Sequence, residues 1–230
     1  MYDTVIFDMD GTLLNTLDDI RDSVNHIMRK YDFPEREEEE VCEAIGNGAR
    51  HLMECCVPGG DQNPRFEEIL EDYSAYYRDH CQNKTRPYDT MIETLKELQK
   101  RNIKTAIVSN KDNAAVQQLA ELYFDGLIDV AVGEQEGVSH KPAPDELLKA
   151  LEEMGKDVDT ALYVGDTEVD YETANNANMA VILVSWGFRD RDQIEKLNPG
   201  YLIDSPAEIL EIVQTDWDEM EEDQEETSWE

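Results

Sequence analysis

The stretch Thr4-Val5-Ile6-Phe7-Asp8-Met9-Asp10-Gly11-Thr12 decides the fold. Its apolar run reads as a buried strand over residues 4 to 10, ending in two acids and followed by a glycine. In an open α/β sheet, ligands bind outside the carboxyl ends of the strands. Asp8 and Asp10 therefore stand where chemistry is expected. Alternation along a strand puts both side chains on one side.

Working outward, a helical pattern runs from about Leu17 to Tyr31 and is broken by Pro34. Residues 37 to 83 hold several helical patterns and no strand, with breaks at Gly46-Asn47-Gly48 and Pro58-Gly59-Gly60. After Arg86-Pro87 the period changes, and strands and helices alternate. Strands are expected at 104–108, 128–132, 161–164, 179–184 and 201–203, and helices near 89–101, 113–122, 144–154, 169–177 and 206–213. That alternation implies an α/β fold, a parallel sheet with helices on both faces. The helical stretch interrupts it after the first strand and reads as an inserted cap. The expected organisation is a core of 1–14 and 85–214, an α-helical cap of 15–84, and an acidic, disordered tail of 215–230.

The bulk numbers narrow the function. The chain has 230 residues, 32% of them charged, and a net charge of −34. Nucleic acid and anionic membranes are unfavourable partners for such a surface. The longest apolar stretch, Met179 to Val184, is far too short to span a bilayer. The N-terminus lacks a basic region, so a cytoplasmic location is expected. Cys42, Cys55, Cys56 and Cys81 form no CxxC pair and read as idle thiols.

Four separate strand ends carry reactive side chains. The first brings Asp8, Asp10, Gly11 and Thr12; the second, Ser109, Asn110 and Lys111; the next loop, His140-Lys141-Pro142; and the fourth, Gly165-Asp166-Thr167, with Asp170 one turn on. Carboxylates, a hydroxyl and an ammonium on one sheet edge can hold a hard cation and a phosphate together. Two nearby carboxylates resist joint ionisation, which suits Asp8 as nucleophile and Asp10 as acid and base. An ionised Asp8 can attack phosphorus. Asp10 can then protonate the leaving alkoxide and activate water. Gly11 lets the chain turn sharply and exposes backbone amides to phosphate oxygens. Asp166 suits Mg²⁺, with Asp170 as a direct or indirect ligand. Ser109 and Lys141 would stabilise the transferring phosphoryl group.

Taken together, Asp8-Met9-Asp10-Gly11-Thr12-Leu13, Ser109-Asn110, Lys141-Pro142 and Gly165-Asp166-Thr167-Glu168-Val169-Asp170 resemble the four motifs of the haloacid dehalogenase-like hydrolase superfamily. The resemblance covers residues 1 to about 213. It implies a Rossmann-like core with a helical cap inserted after the first motif. It implies Asp8 as nucleophile and Asp10 as general acid/base. It implies Mg²⁺ held by the Asp8 carboxylate, the Asp10 backbone carbonyl and Asp166, and phosphate held by Gly11, Ser109, Asn110 and Lys141. Ile45-Gly46-Asn47-Gly48-Ala49 and Ser185-Trp186-Gly187-Phe188-Arg189 further resemble phosphoglycolate phosphatases. Close relatives act on pyrophosphate, nucleotides or sugar phosphates, and a phosphomutase needs the same core.

The expected substrate is a small phosphorylated metabolite, handled by a monomer or homodimer. Gly46 and Gly48 would let the cap loop approach it. Arg50 is a candidate for a bidentate contact to a substrate carboxylate; alternatively, it pairs with Glu54 one turn on. Trp186 and Phe188 are expected to pack at the edge between core and cap. A non-catalytic binding protein is the reading of a different class, and the intact Asp8, Asp10, Lys141 and Asp166 argue against it.

Overall fold

The computed structural model describes residues 2–213. The expected tail, 215–230, lies outside the described residues.

The strand β1 (Thr4–Phe7) is shorter than the sequence suggests, and Asp8 to Asp10 lie beyond it. A second strand, β2 (Leu14–Asn15), leads into α1 (Leu17–Lys30), α2 (Glu38–Ala44), α3 (Gly48–Cys56) and α4 (Phe66–His80). The chain returns through β3 (Arg86–Pro87), which pairs antiparallel with β2. The helical stretch thus leaves and rejoins the rest of the chain through one short ribbon. Asp19 pins that return. Its buried carboxylate accepts the Lys84 amide at 3.0 and 2.9 Å and the Thr85 amide at 2.8 Å.

From there α5 (Met91–Lys100), β4 (Lys104–Asp112), α6 (Asn113–Phe124), β5 (Val130–Glu134), α7 (Asp145–Met154), β6 (Ala161–Gly165), α8 (Glu168–Asn176) and β7 (Ala180–Val184) alternate. A short α9 (Arg191–Glu195), β8 (Tyr201–Ile203) and a final helix over 208–213 follow. The main sheet has the order β5-β4-β1-β6-β7-β8, and every pairing in it is parallel. β1 lies between β4 and β6, so the strand order reverses beside it. That is where an α/β sheet opens a crevice.

Alternate strand residues face opposite cores. Val5, Phe7, Ile107, Leu162 and Val164 pack with α5, α6 and the cap helices. Ile6, Ala106, Val108, Tyr163 and Val181 pack with α7 and α8. This layering is the expected Rossmann-like α/β architecture. No helix among the described residues is long and apolar enough to cross a membrane. The four cysteines are free thiols.

Candidate active site

Because β1 stops at Phe7, Asp8 and Asp10 do not share a face by strand alternation, and each has its own cation. The Asp8 carboxylate is buried; its Oδ1 accepts the Met9 amide at 2.7 Å and lies 3.1 Å from the Lys141 ammonium. Asp10 instead takes the Lys111 ammonium on both oxygens, at 2.7 and 2.8 Å. Lys111 is buried at the end of β4 and lies 4.5 Å from the centre of the Tyr77 ring. Burial pushes the Asp8 carboxyl up to about 6, against the pull of Lys141; repulsion from Asp170 and Asp10 adds less. Desolvation, more than the neighbouring Asp10, sets Asp8 apart.

Lys141 is 1% exposed, so burial disfavours its charge, but Asp170 and Asp8 more than restore it and hold the ammonium well above its ordinary range. It donates to Asp170 Oδ1 at 2.7 Å and to the Tyr163 hydroxyl at 3.0 Å. The Asn110 side chain fixes its backbone: Oδ1 accepts the Lys141 amide at 2.8 Å and Nδ2 donates to the Lys141 carbonyl at 3.0 Å. Nδ2 also donates to the Gly46 carbonyl at 3.0 Å. The Asn110 side chain, expected on phosphate, is thus committed to Lys141 and to the cap loop. Ser109 is buried, and its hydroxyl pulls the Asp8 carboxyl down by less than burial raises it.

Asp166 sits at the end of β6. Thr12 donates its hydroxyl to Oδ1 at 3.1 Å, and the Phe188 amide donates to Oδ2 at 2.7 Å. Burial, together with repulsion from Asp170 and Asp8, raises its pKa well above the usual carboxylate range. Gly11 explains how the first loop comes so close. Its φ is +82°, and a β-carbon there would lie 2.3 Å from Asp166 Oδ2.

The carboxylates of Asp8, Asp166 and Asp170 place ligand atoms within 4.8 Å of one another. Asp170 is the most committed of them. Oδ2 accepts the Asp166 amide at 3.1 Å, the Thr167 amide at 3.0 Å and the Thr167 hydroxyl at 2.8 Å, while Oδ1 accepts Lys141. Burial alone would raise its pKa, but Lys141 and these donors lower it. Asp170 is therefore built to orient Lys141 and the β6 loop, and it has little left to offer a cation directly.

Asp8, Asp10, Ser109, Asn110 and Lys111 line a cavity of about 70 Å³, closed on the cap side by Ile45, Gly46, Gly48, Leu52, Tyr73, Tyr77 and Arg78. Gly48, with φ +81°, brings the cap loop to the Asn110 carbonyl, which would lie 3.1 Å from a β-carbon there. Arg50 does not face this cavity. It lies two residues before Leu52, about 200° around α3, and points away. It binds Glu67 with both nitrogens, at 3.1 and 2.8 Å, and neither the substrate carboxylate nor the Glu54 pairing survives. The cap cation on the cavity rim is Arg78, loosely held at 3.6 Å by Asp112.

A model of the haloacid dehalogenase-like hydrolases matches residues 5–184. The chain belongs to that family. It is 32% identical over 213 residues to the pyrophosphatase PpaX of Bacillus cereus (strain B4264), covering 91% of this chain and 95% of that protein. It is 29% identical to the phosphoglycolate phosphatase of Aquifex aeolicus (strain VF5), with the same coverage. A solved structure from Lactobacillus delbrueckii subsp. bulgaricus, classed by inference as a phosphoglycolate phosphatase, superposes with a TM-score of 0.86 at 31% identity, covering 92% of this chain and 98% of that one. The family thus agrees with the four motifs read from the sequence.

Proposed function

We propose that this chain is a magnesium-dependent phosphatase of small phosphorylated metabolites and works through an aspartyl-phosphate on Asp8. The observation that carries the reading is one cavity lined by both Asp8 and Asp10, beside Ser109 and Lys111. The Asp8 carboxylate, steadied by Lys141 and the Met9 amide, attacks phosphorus and displaces the leaving oxygen. Asp10 supplies that oxygen with a proton. It then takes a proton from the water that attacks the acyl phosphate, which returns Asp8 and releases phosphate. Lys111 fixes the position of Asp10 throughout.

The acidic centre fits a divalent cation. Asp8, Asp10, Asp166 and Asp170 face two ammonium groups, Lys111 and Lys141, which leaves two negative charges unmatched. Burial raises both Asp166 and Asp8, the latter against the pull of Lys141. Asp8, Asp166 and the Asp10 carbonyl would hold the ion. Mg²⁺ there would offset repulsion between the carboxylates and an anionic substrate.

Residues 15–84 act as the cap in this reading and select the leaving group. At about 70 Å³ the cavity is small, and Ile45, Leu52, Tyr73 and Tyr77 of the cap line it alongside Asp8 and Asp10. That favours a short leaving group over a nucleoside. Arg78, held only at 3.6 Å by Asp112, puts positive charge on the cavity lining, which suits a leaving group that is itself anionic. 2-Phosphoglycolate meets both conditions. Pyrophosphate is the second reading, favoured by the same cation and by the similarity to PpaX. Phosphate release with Mg²⁺ from 2-phosphoglycolate, pyrophosphate, nucleoside monophosphates, hexose phosphates and p-nitrophenyl phosphate tests this. The two small dianion-bearing substrates should lead. Release from none of them, or equal release from all, would reject it.

A further inference from the structure

We propose that Arg189 is the positioning residue that fastens the α2–α3 loop over the acidic centre. Arg189 follows β7, on the core side of the seam. Its Nη1 donates to the Cys42 carbonyl at 3.0 Å and its Nη2 to the Ile45 carbonyl at 2.9 Å. The Cys42 carbonyl lies in the last turn of α2, where it also accepts the Ile45 amide at 3.3 Å, and Ile45 is the residue that caps this end, where the helix dipole is negative. A guanidinium is the group that satisfies such an end. On its other side Nε and Nη2 reach the two oxygens of Glu168, at 2.8 and 2.9 Å. Glu168 opens α8, so one planar group bridges core and cap.

The neighbouring residue extends the connection inward. The Phe188 amide holds Asp166 Oδ2 at 2.7 Å, and its carbonyl accepts the Cys42 thiol at 3.1 Å. At the next residue of the same cap loop, Asn110 holds the Gly46 carbonyl and the Lys141 backbone together. The loop is thus tied down at the successive residues Ile45 and Gly46 from the core side, next to residues that set the acidic centre. Arg189 itself does not line the cavity. It acts through the loop that does. A lysine keeps the charge but cannot serve two cap carbonyls and both Glu168 oxygens.

The fastening is independent of the reaction; its consequence for turnover rests on the phosphatase reading. Hydrogen exchange on the full chain, read by mass spectrometry, tests the first part. In R189A the segment 42–49 should exchange about tenfold faster or more, the effect of losing charge-assisted hydrogen bonds. R189K and E168Q should fall between R189A and the unaltered protein, and β1 and β6 should not change. In steady state R189A should raise KM for 2-phosphoglycolate by a similar factor, with kcat little affected. If R189A fails to fold, R189K and E168Q decide. Unchanged exchange of 42–49 in these variants would overturn the proposal, as would faster exchange with unaltered KM. Fast exchange in R189A beside an unaltered protein that hydrolyses no phosphate compound would overturn the phosphatase reading and keep the fastening.

Discussion

Replacing Glu146 by glutamine should stabilise the protein in a pH-dependent way. Glu146, in the first turn of α7, is 0% exposed, and neither carboxylate oxygen makes a hydrogen bond of normal geometry. Burial pushes its carboxyl from 4.5 up to about 7; Lys141 and the Gln135 amide oppose the shift without cancelling it. For an acid raised in the folded state, the sign follows from proton linkage. Its contribution is fully present below the unfolded pKa and is lost as pH rises towards the folded one. The window is therefore 4.5 to about 7. Each pKa unit is worth about 1.36 kcal/mol, so the loss between pH 5 and pH 8 comes to about 2.5 kcal/mol. Glutamine is neutral throughout and escapes it. Urea unfolding of both proteins at the two pH values measures the difference, and any fixed cost of burying the amide cancels. E146Q should gain about 2.5 kcal/mol on the unaltered protein between pH 5 and pH 8. A difference that is flat with pH, or that grows towards acid, would refute the reasoning.

Other perturbations address the site. Mg²⁺ at about one hundred times its dissociation constant should stabilise the unaltered protein by about 2.7 kcal/mol; D166A at the same concentration should show almost none of this by thermal unfolding. K111Q releases Asp10 from its only short ion pair among the described residues, and kcat should fall about tenfold with a displaced pH–rate profile. R78A should raise KM for 2-phosphoglycolate and pyrophosphate about tenfold, while KM for p-nitrophenyl phosphate changes little.

The core was legible in the sequence because a parallel sheet buries whole strands, and apolar runs such as Val5-Ile6-Phe7 and Ala161–Val164 carry that signal undiluted. The acids at their ends then needed only the rule that α/β crevices open at carboxyl ends. The ribbon β2–β3 was not legible, since two residues per strand show no periodicity. Pairings between distant segments were hidden too. Asp10 and Lys111 are 101 positions apart, and although Lys111 falls at the expected strand end, nothing in the sequence pairs it with Asp10. The cap misled most. Arg50 stands beside the glycine loop in sequence, but the turn of α3 carries it to the outer face. Arg78 reaches the cavity from α4, far along the chain. Its signal was faint: Tyr73, Ser74, Tyr77 and Arg78 fall on one helix face, with the aromatics against the pocket.

The central claim is that Asp8 becomes phosphorylated. The most direct test is rapid acid quench of the enzyme during turnover of 2-phosphoglycolate with Mg²⁺, followed by peptide mass spectrometry. A phosphoryl group on Asp8, formed at a rate no slower than kcat and absent in D8N, is the predicted result. Hydrolysis that proceeds at full rate in D8N, or turnover with no phosphorylated aspartate, would contradict it.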